Sequence, residues 1–100
     1  MVDKETIVTR LQASYPYLRT EYGVKRIGLF GSFVSGTADE ASDVDMVVEF
    51  QRPVGFKFIE LVEYLERLLE REVDVLTPAG LQGIRVSGVA NHIADSIVYV

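Results

Sequence analysis

The sequence predicts an α/β fold: a small mixed sheet of about three to four strands flanked by helices. Three observations carry that prediction. Short apolar runs at 24–30, 43–50 and 73–77 have strand length and are bounded by Gly or Pro. Residues 56–71 carry an apolar stripe at helical spacing, with charges on the opposite face. The polar stretch 36–42 is too short for a crossover, so the first two strands are expected to be antiparallel. The helix at 56–71 is long enough to be a right-handed crossover, which makes the second and third strands parallel.

Each element has its own warrant. Residues 3 to about 21 read as a helix, because Ile7, Leu11, Tyr15 and Leu18 recur on one face and Asp3 can cap the start. Pro16 is expected to break or kink it, and Gly23 to end it. Val24-Lys25-Arg26-Ile27-Gly28-Leu29-Phe30 is the first strand. Asp43 to Phe50 is the second, closed by Pro53 and Gly55. In the helix at 56–71, Phe58, Leu61, Val62, Leu65, Leu68 and Leu69 form the stripe, and Phe56 and Phe58 are expected in the core. Val73 to Thr77 is the third strand, ended by Pro78. After Gly80 the pattern is roughly helical again, weakened by Gly83 and Gly88, and Val98 to Val100 reads as a short edge strand or a frayed end. No repeat or linker divides the chain, so residues 1–100 are expected to form a single domain.

Composition narrows the function. The chain has no cysteine and one histidine, His92, which argues against a disulfide scaffold and a conventional zinc site. No apolar run approaches the roughly 20 residues that span a bilayer, and the first residues do not resemble a signal peptide. A cytoplasmic location and no membrane partner are therefore expected. Ten basic residues face 15 acidic ones, a net charge of −5 with no Lys/Arg cluster, so direct nucleic-acid binding is not expected. A protein of this charge that handles phosphates needs positive charge from elsewhere, and a divalent cation supplies it.

The chemistry-bearing pattern is Gly31-Ser32 followed by Asp43-Val44-Asp45. Side chains alternate along a strand, so Asp43 and Asp45 point to one side. Carboxylates that close repel, and Mg²⁺, which binds through one or two carboxylates plus substrate phosphates, relieves the repulsion. Asp74 opens the third strand between valines, a costly place for a carboxylate without a partner or a metal. With strands two and three parallel, Asp74 arrives at the same rim, and three carboxylates are expected to converge. The antiparallel first strand delivers Gly31-Ser32 opposite them. Gly31 permits close backbone approach, and amides from Ser32 onward can open a short helical turn facing an anion.

These residues, in the form GSFVSGTADEASDVD with the later VDVLTPAGL, resemble the minimal nucleotidyltransferase domains of the DNA polymerase β superfamily. The resemblance runs from the leading helix to the closing S-I-V-Y-V. It implies a nucleotidyltransferase fold and an antitoxin that transfers AMP from ATP to a tyrosine of a HEPN-domain ribonuclease toxin. It further implies Asp43 and Asp45 as catalytic ligands of two Mg²⁺ ions, Asp74 as the third ligand near the incoming hydroxyl, and Gly31 and Ser32 as the triphosphate contacts. One departure stands out: relatives often carry Arg in the G-S-x-x-R-G turn, where this chain has Ser35. Arg85, Arg26 and Lys25 are the sequence's candidates for a replacement cation.

Two other readings stay open on the sequence. One is an inactive antitoxin of the same fold that blocks its partner sterically; the other is a transferase acting on a different acceptor. His92, Asp39, Glu40 and Glu49 are expected to stand outside the site, and Tyr15, Tyr17 and Tyr22 to pack or to face a partner.

Overall fold

Asp3 starts the first helix, its side chain accepting the Thr6 N–H at 2.9 Å. The helix, α1, runs Lys4–Tyr22 and ends on Gly23, which adopts the left-handed conformation at φ 70° and donates to the Arg19 carbonyl at 3.0 Å. Residues 3–36, 38–39, 42–79 and 97–100 are described in the computed structural model. The expected helix after Gly80, with Arg85 and His92, lies outside the described residues.

Pro16, expected to break or kink the helix, does not break α1, which runs through it from Lys4 to Tyr22. Proline removes the hydrogen bond to the carbonyl four residues earlier, which is that of Gln12. Gln12 and Pro16 both lie on the exposed side, where water can take that carbonyl, while Ile7, Leu11, Leu18 and Tyr22 hold the buried side in place.

The first strand, β1 (Val24–Phe30), leads through Gly31 into a single turn of helix, α2 (Ser32–Ser35). The second strand, β2, spans Val44–Phe50, and the crossover helix α3 spans Lys57–Leu69. Glu70, left-handed at φ 56°, ends α3 and turns the chain into β3 (Val73–Leu76). Strand β4 (Val98–Tyr99) is the expected edge strand. The α3 stripe buries Leu61, Leu65 and Leu69 completely. Phe56 departs from expectation: it is 94% exposed rather than in the core. It precedes the helix and lies about 140° round the axis from Leu61 at 100° per residue, away from the buried stripe. Phe58 is half-buried and meets the Phe50 ring edge-on at 6.4 Å.

The four strands form one mixed sheet in the order β3-β2-β1-β4. β1 is antiparallel to β2 and to β4, and β2 is parallel to β3, as the connection lengths require. Ile27 and Leu29 of β1 share a face with Val44, Met46 and Val48 of β2, and the core cluster joins them to the buried residues of both α1 and α3. The two long described helices therefore cover one face. The helices also tie to each other, Arg10 donating to the Leu68 carbonyl at 2.9 Å and pairing with Glu70. Alternation sends Asp43, Asp45 and Asp74 to the other face. Among the described residues no helix is long and apolar enough to cross a membrane.

Candidate active site

The site forms where β1 ends and β2 and β3 begin. Phe30 pairs with Asp45 across the antiparallel ladder, and Asp45 is the register partner of Asp74 across the parallel one. The Asp45 and Asp74 Cα atoms are thus about 4.8 Å apart, on neighbouring strands with side chains on the same face. Asp43 stands one residue before β2, two places from Asp45 and on the same side. Its approach is built by the residues just before it: Ser42 accepts the Asp39 N–H at 2.9 Å through Oγ, and the Ser42 N–H returns to the Asp39 carbonyl at 3.2 Å.

Gly31 closes the rim from the other side. Its backbone, at φ 78° and ψ −150°, lies in a region that only glycine occupies readily. A Cβ built there would overlap the Asp45 Oδ2, so the absent side chain is what lets the turn approach the carboxylate. The Gly31 carbonyl accepts from Val34 at 3.1 Å and Ser35 at 3.0 Å, closing α2. The Ser32 and Phe33 amides precede those bonds, as the first amides of any helix do.

Asp45 carries the electrostatic signature of this packing. Its carboxyl is held above the ordinary value of 3.8, first by burial and then by the charges of Asp74 and Asp43. Asp43 and Asp74 are exposed, whereas Asp45 is half-buried. Among the described residues no group of three or more His, Cys, Asp or Glu side chains is placed to hold one metal ion. The expected convergence of the three carboxylates on one point is therefore not seen; Asp45 neighbours Asp74 across the ladder, and Asp43 lies on the same rim. That donor set suits Mg²⁺, which takes only one or two carboxylates and completes its shell with water and phosphate oxygens. A divalent cation would also relieve the repulsion that raises Asp45.

Of the sequence candidates for a replacement cation, Lys25 and Arg26 do not reach this rim, and Arg85 lies outside the described residues. Lys25 and Arg26 begin β1, four to five residues from Phe30, or about 13–17 Å along the strand. Arg26 is instead ion-paired with Glu49, and its guanidinium lies 4.1 Å from the Tyr99 ring centroid. Ser35 donates to the Ser32 carbonyl at 3.3 Å. Among the described residues Arg71 is a cation beside the site, and sequence reasoning missed it. Its guanidinium lies 5.2 Å from the centroid of the Phe33 ring in α2, and its Nη1 donates to the Ser42 carbonyl at 3.0 Å. The signal in the sequence was its place three residues before Asp74.

The tyrosines of α1 pack as expected. Tyr15 donates to the Lys25 carbonyl, and Tyr17 and Tyr22 join Tyr64 in a ring cluster with centroids 5.0–6.5 Å apart. Burial and the neighbouring Tyr17 push the Tyr22 hydroxyl up to about 12.

Known proteins resemble this chain in sequence and in fold. The family profile described as the nucleotidyltransferase domain matches residues 15–100. The chain belongs to that family. A solved structure classed as a minimal nucleotidyltransferase superposes with a TM-score of 0.73 at 28% identity, covering 96% of this chain and 94% of that one. The protein adenylyltransferase MntA of Thermococcus cleftensis is 45% identical over 100% of this chain and 98% of its own length. A toxin–antitoxin structure with AMP-PNP superposes at a TM-score of 0.53 and 26% identity, covering 76% of this chain and 57% of that one. Within its family the chain is thus an enzyme of the minimal nucleotidyltransferase kind, a protein adenylyltransferase related to the antitoxins of toxin–antitoxin pairs.

Proposed function

We propose that this protein is a Mg²⁺-dependent antitoxin that transfers AMP from ATP to a tyrosine hydroxyl of a HEPN-domain toxin and thereby silences it. The observation that carries the reading is the pairing of Asp45 with Asp74 across parallel strands, directly beside the side-chain-free Gly31 turn. The full-length relationship to a protein adenylyltransferase supports AMP as the group transferred. The likeness to a toxin–antitoxin structure with AMP-PNP supports ATP as donor and a toxin as acceptor. The HEPN class of the toxin and tyrosine as acceptor rest on the family resemblance.

In this reading Asp43 and Asp45 would hold the Mg²⁺, expected as two ions, and Asp74 would complete the ligand set on the acceptor side. Bound there, the ions supply charge neutralisation to the attacking and leaving oxygens of an in-line displacement. Gly31 and Ser32 hold the β- and γ-phosphates through backbone amides and the Ser32 hydroxyl. Asp74 faces the incoming hydroxyl and takes its proton as the oxygen bonds to the α-phosphorus; the bond to pyrophosphate breaks and pyrophosphate leaves. The chain's remaining task is alignment, which is where most of the acceleration of such transfers arises.

Co-expression tests the reading against the steric alternative. Cells carrying the protein encoded by the adjacent gene should grow when wild type is supplied and fail to grow with Asp43→Ala. Growth that survives Asp43→Ala, with the variant folded and bound to its partner, would make the protein a blocking antitoxin instead.

A further inference from the structure

The phosphate-binding turn and the D-x-D strand lie on different elements, and catalysis requires them to keep a fixed relation. Arg71 touches both. It follows α3 at the left-handed Glu70 and sits half-buried where the chain turns into β3. Its guanidinium carbon lies 5.2 Å from the ring centroid of Phe33, a residue of α2 that is itself buried in the core. Its Nη1 donates to the Ser42 carbonyl at 3.0 Å, immediately ahead of Asp43. The neighbouring backbone completes the clamp, since the Val44 N–H donates to the Glu72 carbonyl at 2.9 Å. Residues 71 and 72 thus grip the chain on both sides of Asp43, and Asp74 follows three positions after Arg71.

We infer that Arg71 is a positioning residue for nucleotidyl transfer: it locks the Gly31–Ser35 turn, the backbone of Asp43 and the strand of Asp74 into one unit. In doing so it brings a positive charge to the border of this rim. A planar guanidinium suits the task, because it can lie against the Phe33 ring, 5.2 Å from its centroid, while it donates to the Ser42 carbonyl. A lysine can supply the charge and one donor but cannot stack as a plane. The inference rests on the proposed site for its functional consequence, while the tether itself is a property of the ligand-free chain.

Two measurements on Arg71→Met, Arg71→Lys and wild type test it. The first is amide hydrogen exchange of the ligand-free proteins. Val44 and the adjoining 42–43 segment should exchange at least several-fold faster in Arg71→Met, with Arg71→Lys in between and the α1 amides unchanged. The second is binding of Mg·AMP-PNP by calorimetry, which needs no acceptor protein. Arg71→Met should bind about tenfold more weakly and Arg71→Lys two- to fivefold more weakly, with the melting temperature of Arg71→Lys close to wild type. Unchanged exchange around Val44, or Arg71→Met affinity within twofold of wild type, would overturn the inference. Wild type that binds the nucleotide but modifies no partner would refute only the proposed function, and the exchange result would still judge Arg71.

Discussion

Replacing Asp45 by Asn separates what the site costs the fold from what it contributes to the reaction. In the metal-free protein Asp45 faces Asp74 across parallel strands and feels Asp43 as well. Two carboxylates about 5 Å apart in a largely wet environment repel by about 1 kcal/mol. Asp74 is exposed, so screening lowers the recoverable part to about 0.5–1 kcal/mol. Asparagine keeps the shape and removes the charge. Asp45→Asn is therefore expected to melt about 2–8 °C higher than wild type without metal, at 4–8 °C per kcal/mol for a domain of this size. The order should reverse when Mg²⁺ and AMP-PNP are added. At a hundred times its dissociation constant a ligand stabilises the native state by about 2.7 kcal/mol, and the Asn variant should forgo nearly all of that. Thermal melts of both proteins, with and without Mg·AMP-PNP, read the two effects directly. A variant less stable than wild type without metal, yet fully stabilised by the nucleotide, would refute both the repulsion and the metal role.

Four further outcomes are expected. The native state binds the Asp45 proton at a higher pH than the unfolded chain, so ionisation of Asp45 lowers stability as pH rises through its folded value. The advantage of Asp45→Asn should thus be full at neutral pH and shrink as pH falls toward 3.8; metal-free melts across that range check it, and a gap that widens would contradict it. Gly31→Ala puts a Cβ at a strained backbone position and against the Asp45 carboxylate, so it should cost about 1–3 kcal/mol and nearly all transfer activity, measured by melting and AMP incorporation. Ser32→Ala should leave the melting temperature within about 2 °C, a shift of under 0.5 kcal/mol, and lower activity about 10- to 100-fold, the usual cost of one hydrogen bond to a charged group. Leu65→Ala empties a fully buried position between α3 and the sheet and should cost about 2–5 kcal/mol in denaturant unfolding.

Much of this arrangement was legible because it depends on local pattern and connection length. The stripe of α3, the Asp3 cap and the strand at 44–50 are set by neighbours in sequence. A short loop and a helical crossover then fix which strands are antiparallel and which parallel, and that alone brings Asp45 beside Asp74. What escaped were properties decided by distant parts of the chain. In sequence Arg71 reads as one more charge on the polar face of the helix at 56–71, and its value appears only when α2 folds over it. Lys25 and Arg26 looked available, but the ladder puts them at the far end of β1 from the site. Pro16 is tolerated because the carbonyl it frees, on Gln12, faces water, which spacing within α1 does not reveal. Phe56 is apolar and next to a buried stripe, yet its angle round the helix leaves it outside.

The most direct test is intact mass of both chains after incubating the protein with its adjacent-gene partner, ATP and Mg²⁺. Wild type should add one or more AMP units to the partner, and Asp43→Ala should add none while still folding. A partner silenced by wild type with no gain in mass would contradict AMP transfer as the means of neutralisation.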